Sequence, residues 1–287
     1  MQENNSVSQA PIGVFDSGVG GLTVVKEIMN QIPGESIVYF GDTARVPYGS
    51  KSKSTILGYT RQIVKFLRMQ NVKAIVIACN TASAFALEEV SKEIDIPMIG
   101  VIKPGAQMAA RTTKNGNIGV IGTEGTIQSE IYNEYLNGTN EQLRVFGKAC
   151  PLFVPLVEEG WTNDPITDEV VERYINELIP CNIDTLVLGC THYPLLREPI
   201  QKVVGDKVVL VNPALETAKS LKELLKEKNL LNQEGNPRHN FYVSDGAEKF
   251  RRFANSILPC DVVETKGVDI DRLADGTYER LEKHGRG

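Results

Sequence analysis

The chain has 287 residues, 41% hydrophobic and 23% charged, with a formal net charge of −5. It is long enough for two domains or one large one, and an acidic chain without a basic tract argues against nucleic acid, which needs clustered Lys and Arg. No apolar stretch approaches the ~20 residues of a membrane helix, and cysteines scattered at 79, 150, 181, 190 and 260 fit neither a disulfide framework nor a metal pattern, so a reducing cytoplasmic setting is expected.

Residues 1–10 are polar, with neither a charged nor an apolar region of the secretory kind, so no signal peptide is expected there. Apolar runs then alternate with amphipathic stretches. Strands are predicted near 12–15, 37–40, 74–78 and 98–102, then near 118–121, 144–148, 185–189 and 208–211. Helices are predicted over 22–29, 54–69, 125–136, 168–179 and 215–228, and residues 241–263 offer one further strand and helix that return to the first half. Continuous apolar strands interleaved with helices predict an α/β fold with mainly parallel, doubly wound sheets.

The two series of four strands form an internal repeat. The run Ile12-Gly13-Val14-Phe15 echoes Ile118-Gly119-Val120-Ile121, and Pro104-Gly105-Ala106-Gln107-Met108-Ala109 echoes Pro213-Ala214-Leu215-Glu216-Thr217-Ala218, with Pro and Ala at the same offset. A cysteine follows the third strand in each copy, 66 residues after Gly13 at Cys79 and 71 after Gly119 at Cys190. Two pseudo-symmetric units are therefore expected, residues 1–97 plus 213–287 carrying Asp16 and Cys79, and residues 98–212 carrying Thr123, Glu158, Cys190 and His192, with a site in the cleft between them.

Strand ends in such sheets are where ligands bind, and a pair of equivalent thiols would place one proton-transfer group on each side of a ligand. Both cysteines precede residues suited to cap a following helix, Asn80-Thr81-Ala82-Ser83 and Thr191-His192-Tyr193-Pro194. A thiol facing a helix N-terminus gains up to ~2 kcal/mol of anion stabilisation, enough to bring an ordinary thiol to roughly pKa 7. Cys150, Cys181 and Cys260 read as buried core residues, and His239 and His284 as surface. The loop Asp16-Ser17-Gly18-Val19-Gly20-Gly21 lacks phosphate-loop spacing. Asp16 suits a ligand ammonium, a proton relay or a helix cap. Asp42-Thr43, Pro47-Tyr48-Gly49, Thr123, Thr126 and Glu158-Glu159 are further candidates, each also compatible with plain turn chemistry. No His, Cys, Asp and Glu spacing matches a metal site.

The motifs Phe15-Asp16-Ser17-Gly18-Val19-Gly20-Gly21, Asp42-Thr43-Ala44-Arg45-Val46-Pro47-Tyr48-Gly49, Ala78-Cys79-Asn80-Thr81-Ala82-Ser83 and Gly189-Cys190-Thr191-His192-Tyr193-Pro194 resemble those of the bacterial glutamate racemases, over residues 11–256. The resemblance implies a cofactor-independent isomerase, usually a homodimer, that makes D-glutamate for peptidoglycan. It implies that Cys79 and Cys190 transfer the proton, assisted by Asp16 and by His192 and Glu158, Glu159 being the competing neighbour. It gives the substrate to Asp16, Ser17, Pro47, Tyr48, Gly49, Asn80, Thr81, Thr123, Thr126, Thr191 and His192. Rival readings are a racemase for aspartate or a related dicarboxylate, a cysteine hydrolase using Cys190 and His192, and a non-catalytic dicarboxylate-binding module.

Overall fold

A computed structural model describes residues 7–232 and 235–274. The first half runs β1 (Ile12–Asp16), α1 (Leu22–Gln31), β2 (Ile37–Gly41), α2 (Lys53–Met69), β3 (Ala74–Ile77), α3 (Asn80–Val90), β4 (Met98–Gly100) and α4 (Ile102–Thr112). The second runs β5 (Asn117–Gly122), α5 (Glu124–Gln128), α6 (Ile131–Thr139), β6 (Arg144–Ala149), α7 (Phe153–Glu158), α8 (Pro165–Ile175), β7 (Thr185–Gly189), α9 (Arg197–Val204), β8 (Val209–Val211) and α10 (Pro213–Glu227). The chain then returns as β9 (His239–Val243), α11 (Ala247–Ile257), β10 (Thr265–Gly267) and α12 (Asp271–Ala274).

Two parallel sheets result, ordered β10-β9-β2-β1-β3-β4 and β6-β5-β7-β8. Each half uses the order second, first, third, fourth, so the sequence repeat is also a topological repeat. β1, β2, β3, β5 and β7 are buried along their whole length, which is why their sequences are continuous apolar runs rather than alternating ones. Helices cover both faces. The inner apolar layer joins the halves, with Val24, Ile28 and Leu221 packed in one cluster with Val101, Ile118 and Tyr132. Each sheet has a separate outer layer, centred on Phe40, Ile63 and Phe66 in the first half and on Phe153, Val171 and Leu188 in the second. Each such side chain, fully buried, contributes ~1.5–3 kcal/mol.

The α2 helix illustrates how sequence selects these layers. Ser52 caps it by accepting from the Thr55 N–H at 3.3 Å, and Ile56, Thr60, Ile63 and Leu67 fall at three- and four-residue spacings on one buried face.

Several expectations are corrected. Residues 98–100 pair in parallel with β3, so the first sheet runs past the boundary expected at 97; the chain passes to the second sheet only after α4. The helix predicted over 125–136 is broken at Glu130, whose φ is 54°, where the Ser129 hydroxyl donates to Thr126 O at 2.7 Å and competes with the helical ladder. The helix predicted over 168–179 starts earlier, at Pro165 behind an Asp164 cap, and ends at Ile175. The tail holds a second strand, β10, and α12 beyond the single strand and helix expected; β10 is three residues at a sheet edge, too short and polar for a periodic signal. His239 opens β9 and is half-buried rather than exposed, and Cys181 and Cys260 are only partly buried. His284 lies outside the described residues.

A buried ion pair anchors the amino end of the first sheet. Lys73 Nζ lies 2.5 Å from Glu35 Oε2 and also donates to Ser8 O, while Glu35 Oε1 accepts the Asn232 N–H at 2.8 Å. Burial pulls the Lys73 ammonium below its usual range against the pull of Glu35, the balance that makes such pairs strong only when fully hydrogen-bonded. Among the described residues no helix is long and apolar enough to cross a membrane.

Candidate active site

In each sheet the chain reverses its direction of travel between the first and third strands, and the crevice beyond the carboxyl ends of those strands is where α/β sheets bind ligands. Here the two crevices face each other. Ser17 follows β1 and Cys79 follows β3; Thr123 follows β5 and Cys190 follows β7. Between them lies a cavity of about 360 Å³, a size suited to a small molecule. From the first half it is lined by Ser17, residues 46–50 and Cys79, Asn80 and Thr81. The second half contributes Thr123, Glu124, Pro151, Val154, Pro155, Glu158, Cys190, Thr191 and His192. Both thiols open into this one space.

The two sulfurs have different surroundings. Cys79 is the N-cap of α3, and its Sγ accepts the Ala82 N–H at 3.5 Å and lies 3.8 Å from Ser17 Oγ. That is the predicted helix-terminus geometry, but it does not prevail. Burial, reinforced by the nearby Asp16 charge, pushes the Cys79 thiol up to about 12 despite the Ala82 and Ser17 contacts. Cys79 therefore carries its proton near neutral pH.

Cys190 departs from the expectation. Residues 193–196 form a tight 3₁₀ turn with His192 at its cap and α9 begins only at Arg197, so this sulfur does not cap an α-helix as Cys79 does. Its polar partner is His192, whose Nδ1 lies 3.8 Å away and whose Nε2 is 3.1 Å from Glu158 Oε1. Burial alone would lower the imidazole; the contacts with Cys190 and Glu158 outweigh it and hold His192 up to about 10. Glu158 in turn is pulled below the usual carboxylate range by His192. Glu158 rather than Glu159 makes this contact, since Glu159 is exposed and faces Lys249 at 3.6 Å.

Asp16 is fully buried behind Ser17 and is absent from the cavity wall. Its Oδ2 accepts the N–H groups of Gly18 and Gly21 at 3.1 and 3.0 Å, closing the turn before α1, while Oδ1 has no hydrogen-bond partner among the described residues. Burial raises its pKa, opposed by the His192 charge and by the backbone N–H groups. The turn role and an electrostatic role toward His192 thus coexist in one side chain.

Among the described residues the remaining wall carries neutral donors and the Glu124 carboxylate, and no Lys or Arg. The hydroxyls of Thr81, Thr123 and Thr126 form a ring with separations of 2.9, 3.0 and 3.3 Å across the two halves. Thr123 caps α5; Thr126 sits behind it and does not reach the cavity. Gly49 O accepts the Gly125 N–H at 2.8 Å, docking the loop with Pro47 and Tyr48 on the second half. That loop is held from beneath by buried Asp42, which accepts from Tyr48 OH, from Arg45 Nε at 2.7 Å and from Ser244 Oγ at 2.9 Å. A negatively charged ligand would meet helix N-termini and hydroxyls rather than ammonium groups.

Sequence reasoning missed Val46, Ser50, Glu124, Pro151, Val154 and Pro155 in the wall. The one available signal was the pair of prolines bracketing an apolar segment just ahead of Glu158.

A sequence profile for Asp/Glu/Hydantoin racemase matches residues 12–221. A glutamate racemase of Geobacter metallireducens is 49% identical over 250 residues, 86% of this chain and 92% of that protein. The crystal structure of a glutamate racemase isoform from Bacillus anthracis superposes with a TM-score of 0.89 at 42% identity, covering 91% of this chain and 98% of that one. A Francisella tularensis glutamate racemase in complex with D-glutamate gives 0.86 at 43%, covering 92% and 99%. The match of the profile and of these relatives across most of the chain places this protein in the Asp/Glu/hydantoin racemase family, as an amino-acid racemase and hence an isomerase.

Proposed function

We propose that the chain interconverts L- and D-glutamate without an organic cofactor, by proton transfer between Cys79 and Cys190 on opposite faces of the α-carbon. The substrate follows the names of its relatives, one of them crystallised with D-glutamate. The observation that carries the mechanism is the opening of both thiols into a single cavity from matched positions of the repeat.

The α-hydrogen of an amino acid is weakly acidic because the adjoining carboxylate resists further negative charge, so the site must stabilise an enediolate. The amide of Asn80, the hydroxyls of Thr81, Thr123 and Thr191 and the N-termini of α3 and α5 supply that stabilisation. With L-glutamate bound, the Cys190 thiolate takes the α-hydrogen and becomes a thiol. The Cys79 thiol gives its proton to the other face, producing D-glutamate and a Cys79 thiolate. The reverse reaction exchanges the roles. A Cys79 that holds its proton, opposite a Cys190 whose sulfur has a cationic His192 3.8 Å away, is the arrangement suited to consuming the L-enantiomer.

Cys190, His192 and Glu158 also form the chain of a thiol hydrolase, but that reading leaves Cys79 without a task. The product would enter peptidoglycan precursors, and the protein would act as a cytoplasmic homodimer. The test is polarimetry of L-glutamate and L-aspartate with no added cofactor, repeated in deuterium oxide. Glutamate is expected to lose rotation and aspartate to keep it, and each new enantiomer to carry solvent deuterium at the α-carbon. Turnover of aspartate instead would overturn the substrate, and product retaining its original hydrogen would overturn the two-thiol route.

A further inference from the structure

Asn80 begins α3 immediately after Cys79 and lines the cavity. Its amide has two ends of nearly identical shape and opposite polarity. With Nδ2 toward the ligand it donates to a carboxylate or enediolate; turned over, it presents a carbonyl oxygen that repels one. Nothing in the shape of the amide chooses between these.

The choice is made from the other half of the molecule. Tyr132, in the first turn of α6, is buried at 2% exposure, and its hydroxyl lies 2.8 Å from Asn80 Oδ1. A phenol carries one proton and must place it on an acceptor. If the amide were reversed, its NH₂ would donate to the phenol oxygen, and the phenol proton, whose one acceptor among the described residues is Asn80 Oδ1, would be left as an unpaired buried donor. Tyr132 cannot ionise to escape this, because burial and the Cys190 charge hold its hydroxyl far above its usual range.

We propose that Tyr132 is a positioning residue for the racemisation, fixing the Asn80 amide with its N–H groups toward the substrate through a hydrogen bond that exists only when the two halves are docked. This rests on the racemase reading given above. An unmade buried hydrogen bond biases such an orientation by roughly tenfold, and the benefit falls on charge that develops in the transition state, so it is read in kcat more than in KM.

Tyr132→Phe, which keeps the ring that packs in the inner core, is expected to lower kcat about twofold in both directions, as the share of correctly turned amide falls from roughly ten in eleven to about half, with KM changed less than kcat and the melting temperature little changed. In an Asn80→Ala background the same substitution is expected to cost nothing further, because the group it positions is gone. Asn80→Asp keeps the acceptor for Tyr132 and the side-chain shape but removes the N–H donors, and is expected to lose activity while remaining folded. Normal kcat in Tyr132→Phe, or losses from Tyr132→Phe and Asn80→Ala that multiply in the double variant, would overturn the proposal. Failure of the wild-type chain to racemise glutamate would instead remove the reading on which it rests.

Discussion

Cys79→Ser and Cys190→Ser are each expected to lower racemisation by about 10³-fold or more in both directions while leaving the fold intact. Proton transfer by a positioned side chain contributes roughly 10²–10⁴ in rate, and an alcohol is far too weak an acid to serve as its own conjugate base near neutral pH. Each thiol is used in every turnover, once as acid or once as base, so neither direction is spared. The fold should survive for local reasons. At position 79 a serine oxygen can accept the Ala82 N–H now held by Sγ at 3.5 Å, and serine is a preferred N-cap. At position 190 the loop is held by neighbours, Thr23 Oγ1 donating to Thr191 O at 2.9 Å and Tyr193 OH to Cys150 O at 2.8 Å. Circular dichroism and melting temperature should match the parent while initial rates from both enantiomers collapse. Near-normal turnover in either single variant would end the two-thiol mechanism.

Much of this architecture was legible because parallel sheets write their strands as uninterrupted apolar runs. The repeat could be read from four landmarks in order, and the order of strands in space then followed the same plan twice. The misread positions have two causes, contacts between elements distant in sequence and local hydrogen bonds or caps that periodicity does not register. β4 joins the first sheet because Met98 and Ile99 pair with Ile75 and Val76, and an apolar triplet cannot announce which sheet it will join. Glu130 leaves the helical region at a polar stretch whose competing hydrogen bonds are invisible to periodicity.

The site divides in the same way. The residues that line it from loops at strand ends were legible, since position relative to a strand is written in the sequence. The difference between the two cysteines was not. Both looked like helix caps, yet Cys79 caps α3 and is held protonated by burial and by Asp16, whereas Cys190 lacks a following α-helix and answers instead to His192. Burial comes from the closure of one half on the other, and no local pattern encodes it. The prolines at 151 and 155 and Tyr132 contribute from the second half for the same reason.

Gly20→Ala is expected to reduce turnover by about 100-fold although residue 20 does not line the cavity. A Cβ at this position would stand 2.4 Å from Thr191 Oγ1 and 2.5 Å from both Cε1 and Nδ1 of His192. The backbone there poses no obstacle to alanine; the obstacle is contact. Neither neighbour can yield cheaply, because the backbone of Thr191 is held by Thr23 and His192 is buried between Cys190 and Glu158. Relief requires moving the imidazole by on the order of an ångström, and misplacement of that size costs about 10² in rate. The displaced ring loses its 3.1 Å contact with Glu158 or its position beside Cys190, so the loss should be deepest with L-glutamate, the enantiomer assigned to Cys190. Gly58→Ala is the matching control, since its Cβ in α2 would meet nothing within 4 Å; there alanine should stabilise by roughly 0.5–1 kcal/mol and leave rates unchanged. Parallel kcat and melting measurements on the two variants separate the cases, and wild-type rates in Gly20→Ala would show that His192 does not need its place beside Cys190.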